Sequence, residues 1–388
     1  MTTVDEHAAH VAELLAFAPR TEVVPIGDAL DRVTAQRTQS PVDLPLFRNA
    51  QMDGFAVRAA DLPGTLPIVG EVSARASDPA PLAAGTAVRI MTGAVVPEGA
   101  DAVVRVEDTS VTDTDVRIAT TIEPGTFVRA RGSDVAEGDE LLPAGLRLAS
   151  RHLAVLAAAG LTTVAVRARI RVAIITTGTE LIEPGAHPEL GQVFDSNGTA
   201  LDAAVRAAGA VVALRTHVRD DTEAMTAVLR DAAANADLIL TSGGISMGDY
   251  EVVRETLEPL GARVGHVDMQ PGGPQATASF DGVPVICFPG NPVSTQLSFE
   301  VFVAPLLREA AALPAAVRAT RTLVGSTASV PGKRQFLRGR ALPDLGVELV
   351  SGASSHLVAG LAASDLLVIV PEDVTHLAPG ALVETWAL

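Results

Sequence analysis

Leu238-Ile239-Leu240-Thr241-Ser242-Gly243-Gly244-Ile245-Ser246-Met247-Gly248-Asp249 is an apolar run that stops in hydroxyls and glycines, then opens into a helical polar-apolar pattern. A buried strand that ends this way makes an anion-binding turn. Its free backbone N–H groups and the helix N-terminus behind them can receive a phosphate or oxyanion. Glycine is needed because a Cβ would block close approach or forbid a positive φ. An ordinary strand-to-helix connection has the same outline, so the stretch must be read with its neighbours.

Strands and helices alternate on both sides of it, from Ile170 to about Leu313. Arg171 to Ile175, Val211 to Thr216 and Val283 to Phe288 read as further strands. Gly198 to Gly209 (capped by Asp195 or Ser196), Thr222 to Ala234, Val252 to Leu260 and Val293 to Leu307 read as helices. The pattern predicts a parallel α/β sandwich with its ligand at the carboxyl ends of the strands. Two other strands also end in small-residue turns: Thr176-Thr177-Gly178-Thr179-Glu180-Leu181 and Phe288-Pro289-Gly290-Asn291-Pro292-Val293-Ser294. Asp195-Ser196-Asn197 adds a polar turn before a helix. Parallel pairing would bring these turns to one edge. The phosphate-binding candidates are Asp195, Asn197, Ser242, Gly243, Gly244, Ser246, Pro289, Gly290 and Asn291. Glu180 and Asp249 offer hard oxygen ligands of the kind Mg²⁺ takes.

The rest of the chain reads differently. Thr3 and Glu6 fit a capping box opening a helix to Phe17, and Asp28 to Ala35 looks like a second short helix. Short alternating runs broken by Pro and Gly predict a small β domain from Arg48 to about Glu137. Gly138 to Arg167 returns to helix, with Ser150 as N-cap. From Val317 onward the chain is β-patterned again. The expected fold is multidomain α/β plus β. Residues 1–43 with 138–167 form a helical N-terminal domain, and 44–137 a β domain inserted in it. Residues 168–316 form the α/β domain, and 317–388 a C-terminal β-barrel.

Bulk properties narrow the function. A formal net charge of −17 argues against general nucleic-acid or acidic-membrane binding. It leaves anionic small ligands open, since a local arginine cluster can override the overall field. Lys333 is the only lysine, and arginine is the better bidentate phosphate ligand. One cysteine, Cys287, sits in an apolar run, which excludes an internal disulfide and thiolate clusters. No run of 18 apolar residues occurs and the N-terminus lacks a signal pattern, so the chain reads as soluble and cytoplasmic.

These motifs resemble those of the molybdopterin molybdenumtransferase family, which inserts molybdate during molybdenum cofactor synthesis and includes the gephyrin C-terminal domain. The matching pieces begin with Ser40-Pro41 through Asn49, Met52-Asp53-Gly54-Phe55-Ala56-Val57-Arg58 and Arg89-Ile90-Met91-Thr92-Gly93-Ala94. They continue with Arg129-Ala130-Arg131-Gly132-Ser133-Asp134, the three strand-end turns and Ser354-Ser355-His356. The strand-end turns recur in adenylyltransferases of the same pathway; the Met-Asp-Gly and Met-Thr-Gly pieces make the resemblance specific. It implies adenylylated molybdopterin and molybdate as substrates, AMP as a product and an assisting divalent metal. It implies a homodimer with a shared site, and a molybdopterin adenylyltransferase as pathway partner. The implied catalytic residues are Asp53, Thr92, Asp134, Glu180, Asp220 (or its neighbour Asp221) and Asp249. Arg129, Ser294, Arg338 and Ser355 are implied substrate contacts.

The physical chemistry agrees: molybdate and phosphoanhydride are anions, and Lys333, Arg334, Arg338 and Arg340, or Arg129 and Arg131, offer positive charge. Thr92 has no obvious base beside it in sequence, so it reads as an oxyanion or phosphate contact. One departure stands out. The family often carries a Lys-Pro-Gly-Lys-Pro loop, and here Gln270-Pro271-Gly272-Gly273-Pro274 is uncharged. Two other readings stay open at this stage: a pterin or nucleotide adenylyltransferase or pyrophosphatase, and a non-catalytic cofactor carrier.

Overall fold

Leu238–Ser242 is buried at every residue, as a strand covered on both faces must be. In the computed structural model, which describes residues 2–245 and 251–388, it lies inside a six-stranded sheet. The order is Val211–Val218, Arg171–Thr177, Leu238–Ser242, Val283–Phe288, Pro274–Phe280, Arg263–His266. The first four strands are parallel, as expected. The last two join by antiparallel pairing, so that only Pro274–Phe280 runs against the others, which the sequence pattern does not predict.

Alternate strand residues face opposite layers. Val172, Ile174, Leu238, Leu240, Ile286 and Phe288 pack with Leu201 and Val205 of helix Ser196–Ala207 and Leu297 of helix Pro292–Ser298. On the other face Ile175, Ile239, Val285 and Cys287 meet Met225 and Leu229 of helix Thr222–Asn235 and Leu257 of helix Val252–Leu257. Cys287 is thus a core residue, and burial pushes its thiol up to about 12.

The chain divides into two units, Met1–Arg20 with Ala168–Leu388, and Thr21–Arg167. In the first, the N-terminal helix Val4–Leu14 carries the expected capping box, with Thr3 and Glu6 each bonding the other's backbone N–H. Val4, Val11 and Leu15 join the same core cluster as Phe299, Phe302 and Phe336. Its C-terminal strands Arg334–Ala341, Gly346–Leu349, Arg318–Leu323, Leu382–Ala387 and Leu366–Val370 close on themselves as a barrel, through pairing of the first with the last. Gly339 lets that closure happen: a Cβ there would lie 2.9 Å from Val347 and Val368 side-chain carbons.

In the second unit, Thr21–Pro25 pairs with Thr163–Arg167, and Asn49–Ala50 with Val128–Arg129. Between these returns lies a six-stranded sheet ordered Ala102–Arg105, Gly54–Val57, Ala87–Ile90, Gly64–Val72, Asp115–Ile118, Thr109–Val111. The expected helix from Asp28 to Ala35 is absent. One 3-10 turn, Ile26–Asp28, is followed by bridges from Val33 to Arg147 and Thr34 to Val166, because Thr34 and Arg32 find partners in the returning segment. Helix Ser150–Ala158 is capped by Ala149, whose N–H donates to His152 Nδ1, and not by Ser150.

Two consequences can be measured. A Cβ on Gly54 would lie 1.9 Å from the Val104 carbonyl oxygen, on the neighbouring strand's backbone. Gly54→Ala should therefore destabilise the Thr21–Arg167 unit by about 1–3 kcal/mol, read by denaturant unfolding; an unchanged midpoint would contradict the close approach. His7 is buried edge-on to Phe302, ring centroids 4.7 Å apart, and burial pulls its imidazole down to about 4. Above pH 6.5 both folded and unfolded states carry it neutral. Between 6.5 and about 4 only the unfolded chain takes the proton, so stability falls with acidification by up to about 1.4 kcal/mol per pH unit. His7→Gln should remove about one proton from the pH dependence of unfolding in that window.

Candidate functional site

The strand order puts Arg171–Thr177 between the next strand of its own sheet, Val211–Val218, and Leu238–Ser242. The chain crosses to opposite sides there, which opens a crevice at the carboxyl ends. A cleft of about 830 Å³ occupies it, lined by Thr177, Glu180, Asn197, Gly243, Gly290 and loop residues Ser354 and Ser355.

A buried polar network fixes the strand ends beneath the cleft. Asp195 caps helix Ser196–Ala207 by accepting from Gly198 N–H at 2.9 Å, and also accepts from the Thr176 hydroxyl at 2.9 Å. Asn197 Nδ2 donates to Ser242 Oγ at 2.9 Å and to the Gly290 carbonyl at 2.7 Å. Ser242 Oγ lies 3.0 Å from Thr295 Oγ1, which donates to the Pro289 carbonyl. Gly243 and Gly244 take φ of +94° and +68°, and a Cβ on Gly243 would lie 2.7 Å from the Thr177 carbonyl oxygen. Gly243 and Gly244 of this stretch are thus required by backbone geometry. Thr177 Oγ1 and Asn197 Oδ1 are buried without a partner among the described residues.

The acids divide by role. Glu180 folds its carboxylate back over Gly178, where a Cβ would meet Oε2 at 2.6 Å, and it lines the cleft. Asp220 also lines the cleft, holding the Thr179 hydroxyl at 2.5 Å. Asp221 instead caps helix Thr222–Asn235, accepting from Glu223 and Ala224 N–H groups. Ser246 and Asp249 lie outside the described residues. Among the described residues no three His, Cys, Asp or Glu side chains stand together as a metal site. Glu180 alone does not make up the Mg²⁺ donor set expected of it with Asp249.

The expected cationic cluster is mostly spent elsewhere. Arg334 donates to Asp5 at 2.7 and 2.9 Å and pairs with Glu372 at 2.9 Å. Arg340 pairs with Glu348, and Arg131 with Asp43. Arg338 is 0% exposed and does not line the cleft. Its guanidinium donates to Ser351 Oγ at 3.3 Å and to the carbonyls of Gly352 and Ser354, which holds the loop whose Ser354 and Ser355 form the cleft wall. Burial pulls its pKa down, and Nη1 has no partner among the described residues. The Ser355 carbonyl accepts from Val293 N–H at 3.1 Å, tying this loop to the helix that carries buried Ser294. Of the four predicted cations of the barrel, only Lys333 reaches the cleft.

In the Thr21–Arg167 unit, Asp53 Oδ1 accepts from Thr92 N–H at 2.6 Å and from its hydroxyl at 2.7 Å. A carboxylate does therefore stand beside Thr92, which the sequence alone did not reveal. Those two bonds, the backbone one foremost, hold Asp53 below the usual carboxylate range, so it is a weak base. It orients the threonine hydroxyl and leaves the reading of Thr92 as a contact intact. Arg129 Nη1 reaches Asn49 Oδ1 at 3.4 Å, and Asp134 is exposed. His266, which the sequence reading passed over, lines the cleft; only its place at the end of an unforeseen edge strand brings it there.

Known proteins share this arrangement along the whole chain. Residues 2–160 match the family model described as MoeA N-terminal region (domain I and II), and residues 173–309 the probable molybdopterin binding domain. Residues 321–388 match the MoeA C-terminal region (domain IV). The chain is 40% identical over 405 residues to molybdopterin molybdenumtransferase 2 of Mycobacterium tuberculosis, covering 100% of both. It is 39% identical over 301 residues to the molybdopterin molybdenumtransferase of a Nostoc species, covering 74% of this chain and 69% of that one. The solved molybdopterin biosynthesis MoeA protein of Pyrococcus horikosii superposes with a TM-score of 0.85 at 31% identity, over 100% of this chain and 99% of that one. With three successive regions of sequence and the fold itself shared, this chain belongs to the molybdopterin molybdenumtransferase (MoeA) family.

Proposed function

We propose that this protein is a molybdopterin molybdenumtransferase, which inserts molybdate at the dithiolene of adenylylated molybdopterin as AMP is released. The observation that carries this reading is the single cleft in which three glycine- and hydroxyl-rich strand ends meet the Ser354–Ser355 loop of the barrel. Backbone N–H groups at Gly244 and Gly290 suit a phosphoanhydride, whereas that of Gly243 is held by the Phe288 carbonyl, and the Ser294 and Ser355 hydroxyls suit an oxyanion. Asp195 and Asn197 keep the strand ends in place beneath them. Glu180 and Asp220 sit where they can position the phosphate end. A Mg²⁺ ion, with Glu180 and Asp249 as oxygen ligands, would supply charge neutralisation at the phosphates.

The reading includes a homodimer in which Asp53, Thr92, Arg129 and Asp134 of one copy complete the site of the other. It also includes a molybdopterin adenylyltransferase as the supplier of the substrate. Asp53 accepts from both the N–H and the hydroxyl of Thr92, which suits a preorganised contact better than a nucleophile.

Purified protein given adenylylated molybdopterin, Mg²⁺ and micromolar molybdate should release AMP in step with metal insertion. AMP release that ignores molybdate would instead mark a hydrolase, and tight binding without release a carrier. Asp53→Ala and Glu180→Ala should each lower AMP release at least 100-fold. Mixed under conditions of verified subunit exchange, the two inactive variants should recover up to about a quarter of wild-type activity, because a statistical share of sites is intact. Absence of any recovery would rule out a site shared between copies.

A further inference from the structure

The cleft is charged on one side only. Among the described residues that line it, Glu180, Asp195, Asp220 and Glu251 carry carboxylates, whereas only Lys333 and His266 carry nitrogen bases. These two are therefore the only basic side chains that an anion meets among the described residues of the cleft wall. Both flank the uncharged segment Met269 to Pro274, itself part of the cleft wall. Lys333 precedes the barrel strand whose Arg334 and Gln335 pair with Met269 and Gln270. Arg334 N–H also donates to the Asp268 carbonyl at 2.9 Å, which draws Lys333 to this wall. On the other side, His266 ends the edge strand Arg263–His266 and pairs with Pro274.

The imidazole of His266 packs directly against Gly273. A Cβ built on Gly273 would meet His266 Cε1 at 2.3 Å and Nε2 at 2.4 Å. The ring therefore occupies the volume that any side chain at 273 would take. Gly273 has no positive φ, so its backbone would accept another residue if the ring were gone. Backbone bonds hold the pair together: Val267 N–H donates to the Gly273 carbonyl at 2.8 Å.

We propose that His266, seated over Gly273, is an oxyanion-binding residue of this cleft and forms with Lys333 the end that receives molybdate. The inference rests on the functional reading above and names a residue of this chain for one of its substrates. Its imidazole N–H donates to the oxyanion, and the bare Gly273 is the condition that lets the ring sit there. Gln270 contributes no charge, and its side-chain carbonyl is engaged by Gln335 Nε2.

Equilibrium titration of the purified full chain with molybdate, by calorimetry, tests this directly, alongside the molybdate concentration giving half-maximal AMP release. His266→Ala should weaken molybdate binding about tenfold and raise the half-maximal concentration similarly, with AMP release at saturating molybdate nearly unchanged. Gly273→Lys alone should perturb the wall, because the ring is in the way. The double variant His266→Ala/Gly273→Lys should recover molybdate affinity to within about threefold of wild type, since the lysine then has room and supplies the lost donor. Thermal unfolding checks each variant, with His266→Gln replacing any that does not fold. Unchanged affinity in His266→Ala overturns the role of His266 while leaving molybdate-dependent AMP release by wild type intact. Wild type that binds no molybdate overturns it as well. Wild type that binds molybdate but releases no AMP sinks the transferase reading alone, because the titration still compares the variants.

Discussion

A single buried carboxamide holds the functional edge of this molecule together. Asn197 Nδ2 bonds Ser242 Oγ and the Gly290 carbonyl, joining a helix start to two neighbouring strand ends. Buried polar groups cost free energy unless paired, so the two Nδ2 bonds, made although Oδ1 has no partner among the described residues, tie these three elements to one another. Asp195 extends it to the first strand through Thr176, and Thr295 extends it to the following helix. Three turns that would each be an ordinary loop alone are thereby kept in one register, and the cleft depends on that register.

The barrel enters the same construction from behind. Arg338 is buried without a carboxylate partner and spends its donors on a loop rather than on a ligand. That loop supplies Ser354 and Ser355 to the cleft and returns a backbone bond to Val293. The wall is therefore built by two folding patterns, a strand-end set and a barrel loop, which share one buried cluster through Phe288 and Phe336. Helix Val4–Leu14 braces both, packing in the cluster that holds Phe288 and Phe336 and pairing Asp5 with Arg334.

Much of this was legible before the structure. The apolar runs that stop in Gly, Ser and Thr mark the strand ends because burial and positive φ each demand those residue types. The Thr3–Glu6 box and the strand identities follow from local chemistry alone. What escaped the sequence was long-range. Arg334 looked free because Asp5, its partner, is 329 positions away. Arg338 looked like a ligand because nothing in Phe336-Leu337-Arg338-Gly339 announces that the barrel closes over it. The antiparallel edge carrying His266 escapes the sequence because Arg263-Val264-Gly265-His266 has a single large apolar residue and a glycine, too little for a strand pattern. Asp28 to Ala35 misled in the opposite sense, since its apolar spacing fits a helix while its partners lie in the returning segment. The proximity of Asp53 to Thr92 follows from two strands meeting, and no spacing encodes it.

The burial of Arg338 has a consequence for how the cleft responds to salt. A surface arginine opposite an anion loses most of its pull within about 10 Å at 0.1 M ionic strength, because mobile ions gather around it. Mobile ions cannot gather around a guanidinium sealed beneath a loop. On a chain of net charge −17, added salt weakens the general repulsion of an incoming anion. It leaves the positive field beneath the Ser354–Ser355 wall largely standing. Arg338 is thus the positive group behind the cleft whose contribution salt weakens least, whereas Lys333, only half-buried, is screened as a surface cation is.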